Sequence, residues 1–191
     1  MSEKNGLVAA VFAAWPNFRR STAEQLDAPK SEARLLAYVY VASFLGFVAS
    51  IPEVAALAAK TEATLVQLMF GRLFSALFFA PLFFYMIAGI SHFLLLRFGG
   101  KGTYYDARLA LFWALLVATP LLLVLAILRA FLPPVTPVDL PMLISAFGFI
   151  GFSWIWANCL AEAETLKRAY VLWAAILALP VMLTVAIMTI S

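Results

Sequence analysis

The chain has 191 residues, of which 65% are hydrophobic and only 12% charged, with a mean hydropathy of +0.99. That balance excludes an ordinary soluble domain. Since a bilayer core about 30 Å thick takes roughly 20 apolar helical residues to cross, the length supplies several spans and no separate soluble domain. The formal charge of +3 does not point to nucleic acid, because the basic residues are scattered through short connections and form no extended face. The single cysteine, Cys159, lies in an apolar run and excludes both an internal disulfide and a thiolate metal cage.

Residues 1–33 form the largest piece outside the expected spans. Lys4 followed by LVAAVFAAW has the outline of a signal peptide, but the run is short, Glu3 offsets Lys4 and Trp15-Pro16 is a poor cleavage site, so the segment is expected to remain. Leu7, Val8, Val11, Phe12 and Trp15 recur at near-helical spacing ahead of Arg19 and Arg20. The pattern fits an amphipathic helix lying at the cytoplasmic membrane surface against anionic lipid, and fits equally a helix packed under the bundle. A further helix is expected after Pro29, with Ser31 as its N-cap.

Residues 34–191 read as a five-span membrane domain. The first span covers about 35–51 and is closed by Pro52-Glu53; a surface helical connection carrying Lys60 and Glu62 follows, and Arg72 snorkels to headgroups. The second covers 73–96, the third 109–128, the fourth 140–161 and the fifth 169–190. Pro81, Pro120 and Pro180 each remove a helix hydrogen bond inside a span, which lipid tolerates only where neighbours satisfy the freed carbonyl, so a packed bundle is expected. The proline-rich run RAFLPPVTPVDLP separates spans three and four.

With the N-terminus inside, Lys4, Arg19, Arg20, Lys30, Arg34, Arg97, Lys101, Arg108, Lys167 and Arg168 fall on one side, against Lys60, Arg72 and Arg129 on the other. The positive-inside rule then makes the N-terminus cytoplasmic and, with an odd count of spans, puts Ser191 outside. The fold class is therefore all-α, a polytopic membrane bundle of five transmembrane helices.

The loop RFGGKGTYYDAR, residues 97–108, has the glycines and lysine of a phosphate cradle but not its order, since Lys101 is followed by Gly102 and no strand precedes it. It reads as a tight turn in which Gly99, Gly100 and Gly102 supply backbone freedom. Thr103 and Asp106 stand at capping-box spacing, ahead of the third span. Arg19, Arg20, Lys101 and Arg108 are candidates for contact with lipid headgroups or a partner protein. His92, the one histidine, cannot build a two-histidine haem or zinc site, and neighbouring Ser91 points elsewhere on the helix; an interhelical polar contact, with Asn158 as partner, is the better reading. Glu162 and Glu164 are expected to meet Lys167, Arg168 or the basic N-terminal region. Ser145, Gly148 and Gly151 stand at successive turns, where a second helix could approach closely. No catalytic set, metal site or cofactor site is read from the sequence, and no span has a central carboxylate of the kind that marks an ion route.

The run SHFLLLRFGGKGTYYDARLALFWALLVATP, residues 91–120, resembles the Yip family, five-span membrane proteins named for interaction with Ypt/Rab GTPases. The resemblance implies a cytoplasmic N-terminus and a far-side C-terminus, which agrees with the charge count. The N-terminal region here is brief and has no extended acidic segment, which argues against a Rab-type GTPase as partner and for the short bacterial form of the inner membrane. The function expected is that of a non-enzymatic membrane organiser or accessory subunit that binds lipids or another integral membrane protein. A small transporter or lipid-handling permease is the alternative, and an intramembrane enzyme built on Ser91 and His92 the third.

Overall fold

The computed structural model describes residues 6–131 and 140–178, and among these the chain is all α. Two short helices, α1 (Leu7–Ala14) and α2 (Phe18–Asp27), precede α3 (Glu32–Ala58). Next come α4 (Leu65–Phe74), a π turn (Ser75–Phe79) and α5 (Ala80–Leu96), which together make one helical rod. α6 (Tyr104–Ala130), α7 (Leu140–Ala163) and the ten-residue α8 (Ala169–Ala178) follow. Four of these, Glu32–Ala58, Leu65–Leu96, Tyr104–Ala130 and Leu140–Ala163, are long and apolar enough to cross a membrane. The fifth expected span is helical over Ala169–Ala178, and its remainder, with Pro180, lies outside the described residues.

Local chemistry starts the helices. The Asn17 side chain accepts from the Arg20 amide at the head of α2, and Ser31 accepts from Arg34 at the head of α3, where an N-cap was expected. Full capping boxes open α4 (Thr64 with Gln67) and α6 (Thr103 with Asp106). The prolines do not end the spans. α3 runs through Pro52 to Ala58, further than the sequence boundary, because a backbone surrounded by apolar material keeps every bond that one missing N–H leaves available. Ahead of Pro81 the rod widens into the π turn, with the Ala80 amide bonding Ser75 O five residues back. The rod also begins eight residues before the expected Leu73.

α6 is the axis of the bundle. From Leu109 to Ala114 every residue is buried, as are Leu116, Val117 and Ala118, so this half of the helix is covered on all sides. Ala107, Ala110, Ala114 and Ala118 let α3, α5, α7 and the N-terminal helices come close. α3 and α6 run parallel, and three ion pairs hold their register: Lys30–Asp106 at 3.2 Å, Glu32–Arg108 at 2.8 Å and Glu53–Arg129 at 3.9 Å. Toward its other end α6 exposes Val124, Ile127 and Leu128, so the bundle is tight at the end bearing most basic residues and looser beyond mid-length.

The α6–α7 seam uses two of the three small residues singled out. A Cβ on Gly148 would stand 3.0 Å from Leu125 Cδ1, and one on Gly151 2.6 Å from Leu121 Cδ2. Ser145 departs from the expectation: it is exposed, its hydroxyl bonds Pro141 O at 2.9 Å, and Ile144 takes the buried place. Gly148→Leu is expected to destabilise the detergent-solubilised protein by about 1–3 kcal/mol through overpacking, whereas Ser145→Leu should fall within about 0.5 kcal/mol of the parent. Denaturation midpoints of the two variants measure the difference.

Candidate functional site

At the basic end, the last turn of α5, the loop 97–103 and the end of α7 meet around one carboxylate. Glu164 follows α7 directly and is 0% exposed. Its Oε1 lies 2.6 Å from His92 Nδ1, and its Oε2 accepts the Gly102 N–H at 3.1 Å. The Lys101 N–H donates to Glu164 O at 3.2 Å. The His92 ring is itself buried and sits edge-on to Tyr104, with centroids 4.4 Å apart.

The glycines of the loop serve two different needs. Gly99 has φ +86°, and beyond it the Gly100 amide bonds Leu95 O at 2.9 Å to finish α5, a helix end that favours glycine. Gly100 and Gly102 are required by space: a Cβ on Gly100 would lie 2.6 Å from Glu164 Oε2, and one on Gly102 2.5 Å from Ala163 O. Backbone freedom thus explains one glycine, and close approach to α7 the other two.

α7 ends in the same kind of motif with a less suitable residue. Leu166 N bonds Ala161 O at 2.7 Å and Thr165 N bonds Glu162 O at 3.1 Å, which leaves Thr165 at φ 56°, a region where a β-branched residue is strained. Arg19 from α2 clamps this end. Its Nε donates to Glu162 Oε2 at 2.8 Å, and its Nη atoms donate to Leu166 O at 3.1 Å and Lys167 O at 3.4 Å, placing positive charge at the carbonyl end of α7. α2 is further held by Trp113 Nε1 donating to Ser21 Oγ (3.2 Å), Tyr38 OH donating to Gln25 Oε1 (2.9 Å) and Arg34 donating to Gln25 O (3.1 Å). These bonds pack α2 under the bundle, while the stretch read either as an interfacial helix or as a helix packed under the bundle is α1. α1 buries Val11 and Ala14 and turns Val8 and Phe12 outward.

The sequence-predicted residues therefore divide. His92 makes an interhelical polar contact, but with Glu164; Asn158 turns its amide back onto Trp154 O of its own helix at 2.8 Å, because it lies on a different face of α7. Glu162 meets the N-terminal region through Arg19 as expected, and Glu164 does not. Arg19 and Arg108 are used inside the protein, Arg108 in a two-pronged pair with Glu32 beside the Tyr85 and Tyr105 rings. Among the described residues the exposed Arg20 side chain pairs with Glu24 of its own helix alone, and Lys101 is exposed with no ion pair. Ser91 donates to Ile87 O at 2.7 Å and offers no nucleophile to His92. The described residues contain no group of three or more His, Cys, Asp or Glu side chains placed to hold a metal ion. No family model, curated protein or solved structure matches the chain.

The cluster joins three segments through one buried acid, so its chemistry is that of a latch. Glu164→Ala leaves His92 and the Gly102 amide without their acceptor and is expected to destabilise the protein by about 3–5 kcal/mol, with Glu164→Gln falling between it and the parent. Chemical denaturation in detergent reads the order. Thr165→Gly relieves the left-handed strain and should raise stability by about 1 kcal/mol, seen as a higher melting temperature.

Proposed function

We propose that this chain is a five-span, Yip-type membrane protein, with the N-terminus cytoplasmic and the C-terminus on the far side, that organises its membrane surroundings by binding lipids or a second integral membrane protein. A non-enzymatic accessory role in a bacterial inner membrane fits this reading. The supporting observation is the division of charge at the basic end. Arg19, Lys30 and Arg108 are neutralised internally by Glu162, Asp106 and Glu32. His92 and Glu164 are sealed from solvent, while Lys101, Lys167 and Arg168 remain exposed around them. A rigid base with an outward basic rim suits a surface of anionic headgroups and is unlike a catalytic cleft.

The rod Leu65–Leu96 adds the second surface. It is the least covered of the four long helices and exposes Phe70, Phe74, Phe78, Phe79, Phe83 and Phe93 to the bilayer or a partner helix. Purification in mild detergent followed by mass spectrometry is expected to recover specific lipid or a membrane-protein partner with the chain, and a reporter fused at the C-terminus should be active only on the non-cytoplasmic side. Recovery as a bare monomer would overturn the organiser reading, and a reporter active in the cytoplasm the five-span topology.

A further inference from the structure

Around mid-length, α3, the π turn with α5, and α6 do not close on one another, and a cleft of about 530 Å³ remains. The size lies within the range of small-molecule sites. Small residues face each other across it, Ala42, Gly46 and Ala49 from α3 and Ala76 and Ala80 from the rod. Such residues ordinarily bring membrane helices into contact, as Gly148 and Gly151 do at the other seam. Here a Cβ on Gly46 would meet nothing within 4 Å. The space is open where the sequence is smallest.

Its polar lining is specific. Among the described residues Arg72, on the part of the rod nearest the 59–64 turn, is the one charged side chain on the cleft, and it makes no ion pair there. Ser75 stands three residues further along. Ser43, 8% exposed, also lines the cleft, and its hydroxyl has no hydrogen-bond partner among the described residues. Thr119 also lines the wall, but its hydroxyl already donates to Leu115 O at 3.1 Å. Arg72 and Ser75 on the rod and Ser43 on the facing α3 therefore bring donors to an apolar cleft, and for the buried Ser43 hydroxyl the lack of an acceptor is costly. Guanidinium and hydroxyl groups together recognise phosphate oxygens.

We propose that the cleft binds the headgroup of an acidic phospholipid, with its phosphate at Arg72, its head reaching toward Ser75 and Ser43, and its chains left in the bilayer beside α5. This deepens the lipid-binding half of the function proposed above by naming the site and the lipid class. The cleft lies at mid-length, with Arg72 toward the end opposite the basic rim, so the two surfaces are separable by mutation.

The test uses the full-length protein reconstituted in nanodiscs containing phosphatidylglycerol and phosphatidylcholine, with retained lipid read by native mass spectrometry. The parent should retain phosphatidylglycerol in preference to phosphatidylcholine. Arg72→Gln should lower phosphatidylglycerol retention about tenfold, and Ser43→Ala about fivefold, the losses expected for a charge-assisted and a neutral hydrogen bond. Gly46→Leu fills the open space without a clash and should abolish the preference with no fall in melting temperature. Lys60→Gln, which removes a charge from the adjacent turn but not from the cleft, should behave as the parent. Equal retention of the two lipids by the parent, or a preference unchanged in both Arg72→Gln and Gly46→Leu, would overturn the site while leaving the organiser reading intact. Release of the parent from membranes by alkaline carbonate would overturn both.

Discussion

Glu164 carries a carboxylate to a place that water does not reach, and a group of that kind has to be met by donors wherever it presents an oxygen. His92 meets one oxygen and the Gly102 amide the other. Much of the basic end follows from this requirement. The loop between α5 and α6 has to lie against α7, so Gly100 and Gly102 have no side chain; α7 has to stop at Ala163 and turn, so Thr165 adopts a left-handed conformation. The carbonyls exposed by that turn are then taken by Arg19, which brings α2 beneath the bundle. One desolvated acid thereby links the N-terminal helices, the glycine loop and the last long helix.

The remainder of the bundle is under a looser constraint. α6 is packed by alanines and large apolar side chains through its first half, whereas its second half and the rod Leu65–Leu96 leave large residues exposed. In a bilayer this is no defect, because lipid chains cover apolar side chains as well as a neighbouring helix does. The backbone is less forgiving, and the π turn before Pro81 shows a helix rearranging its bonds to remain continuous. A tight base and an open middle divide the molecule into a part that holds its shape and a part with room for another molecule.

Composition and local pattern determined the class of protein and most of its helices. Four helices long and apolar enough to cross a membrane follow from runs of Leu, Phe, Ala and Val, and the caps at Ser31 and Thr103 from hydrogen bonds between residues three apart. Such features are legible because both partners lie on the same stretch of chain. Helix ends are less legible: Pro52-Glu53 has the look of a stop, yet α3 runs through Pro52 to Ala58, since the apolar surroundings outweigh a single missing bond.

Only the tertiary structure decided what the polar residues do. His92 and Glu164 are 72 residues apart, and Arg19 and Glu162 143 apart, and nothing in the intervening sequence states which helix ends meet. Depth alone makes Asn158 a partner for His92, but depth does not specify the face of a helix, and the Asn158 amide bonds Trp154 O instead. The loop glycines carried a trace of the answer, three in four residues where one suffices for a turn, but the object they make room for lies on another helix. The cleft belongs to the same class of fact. A sequence records that Gly46 is small; whether a neighbour fills the space or leaves it open depends on where the other helices stand.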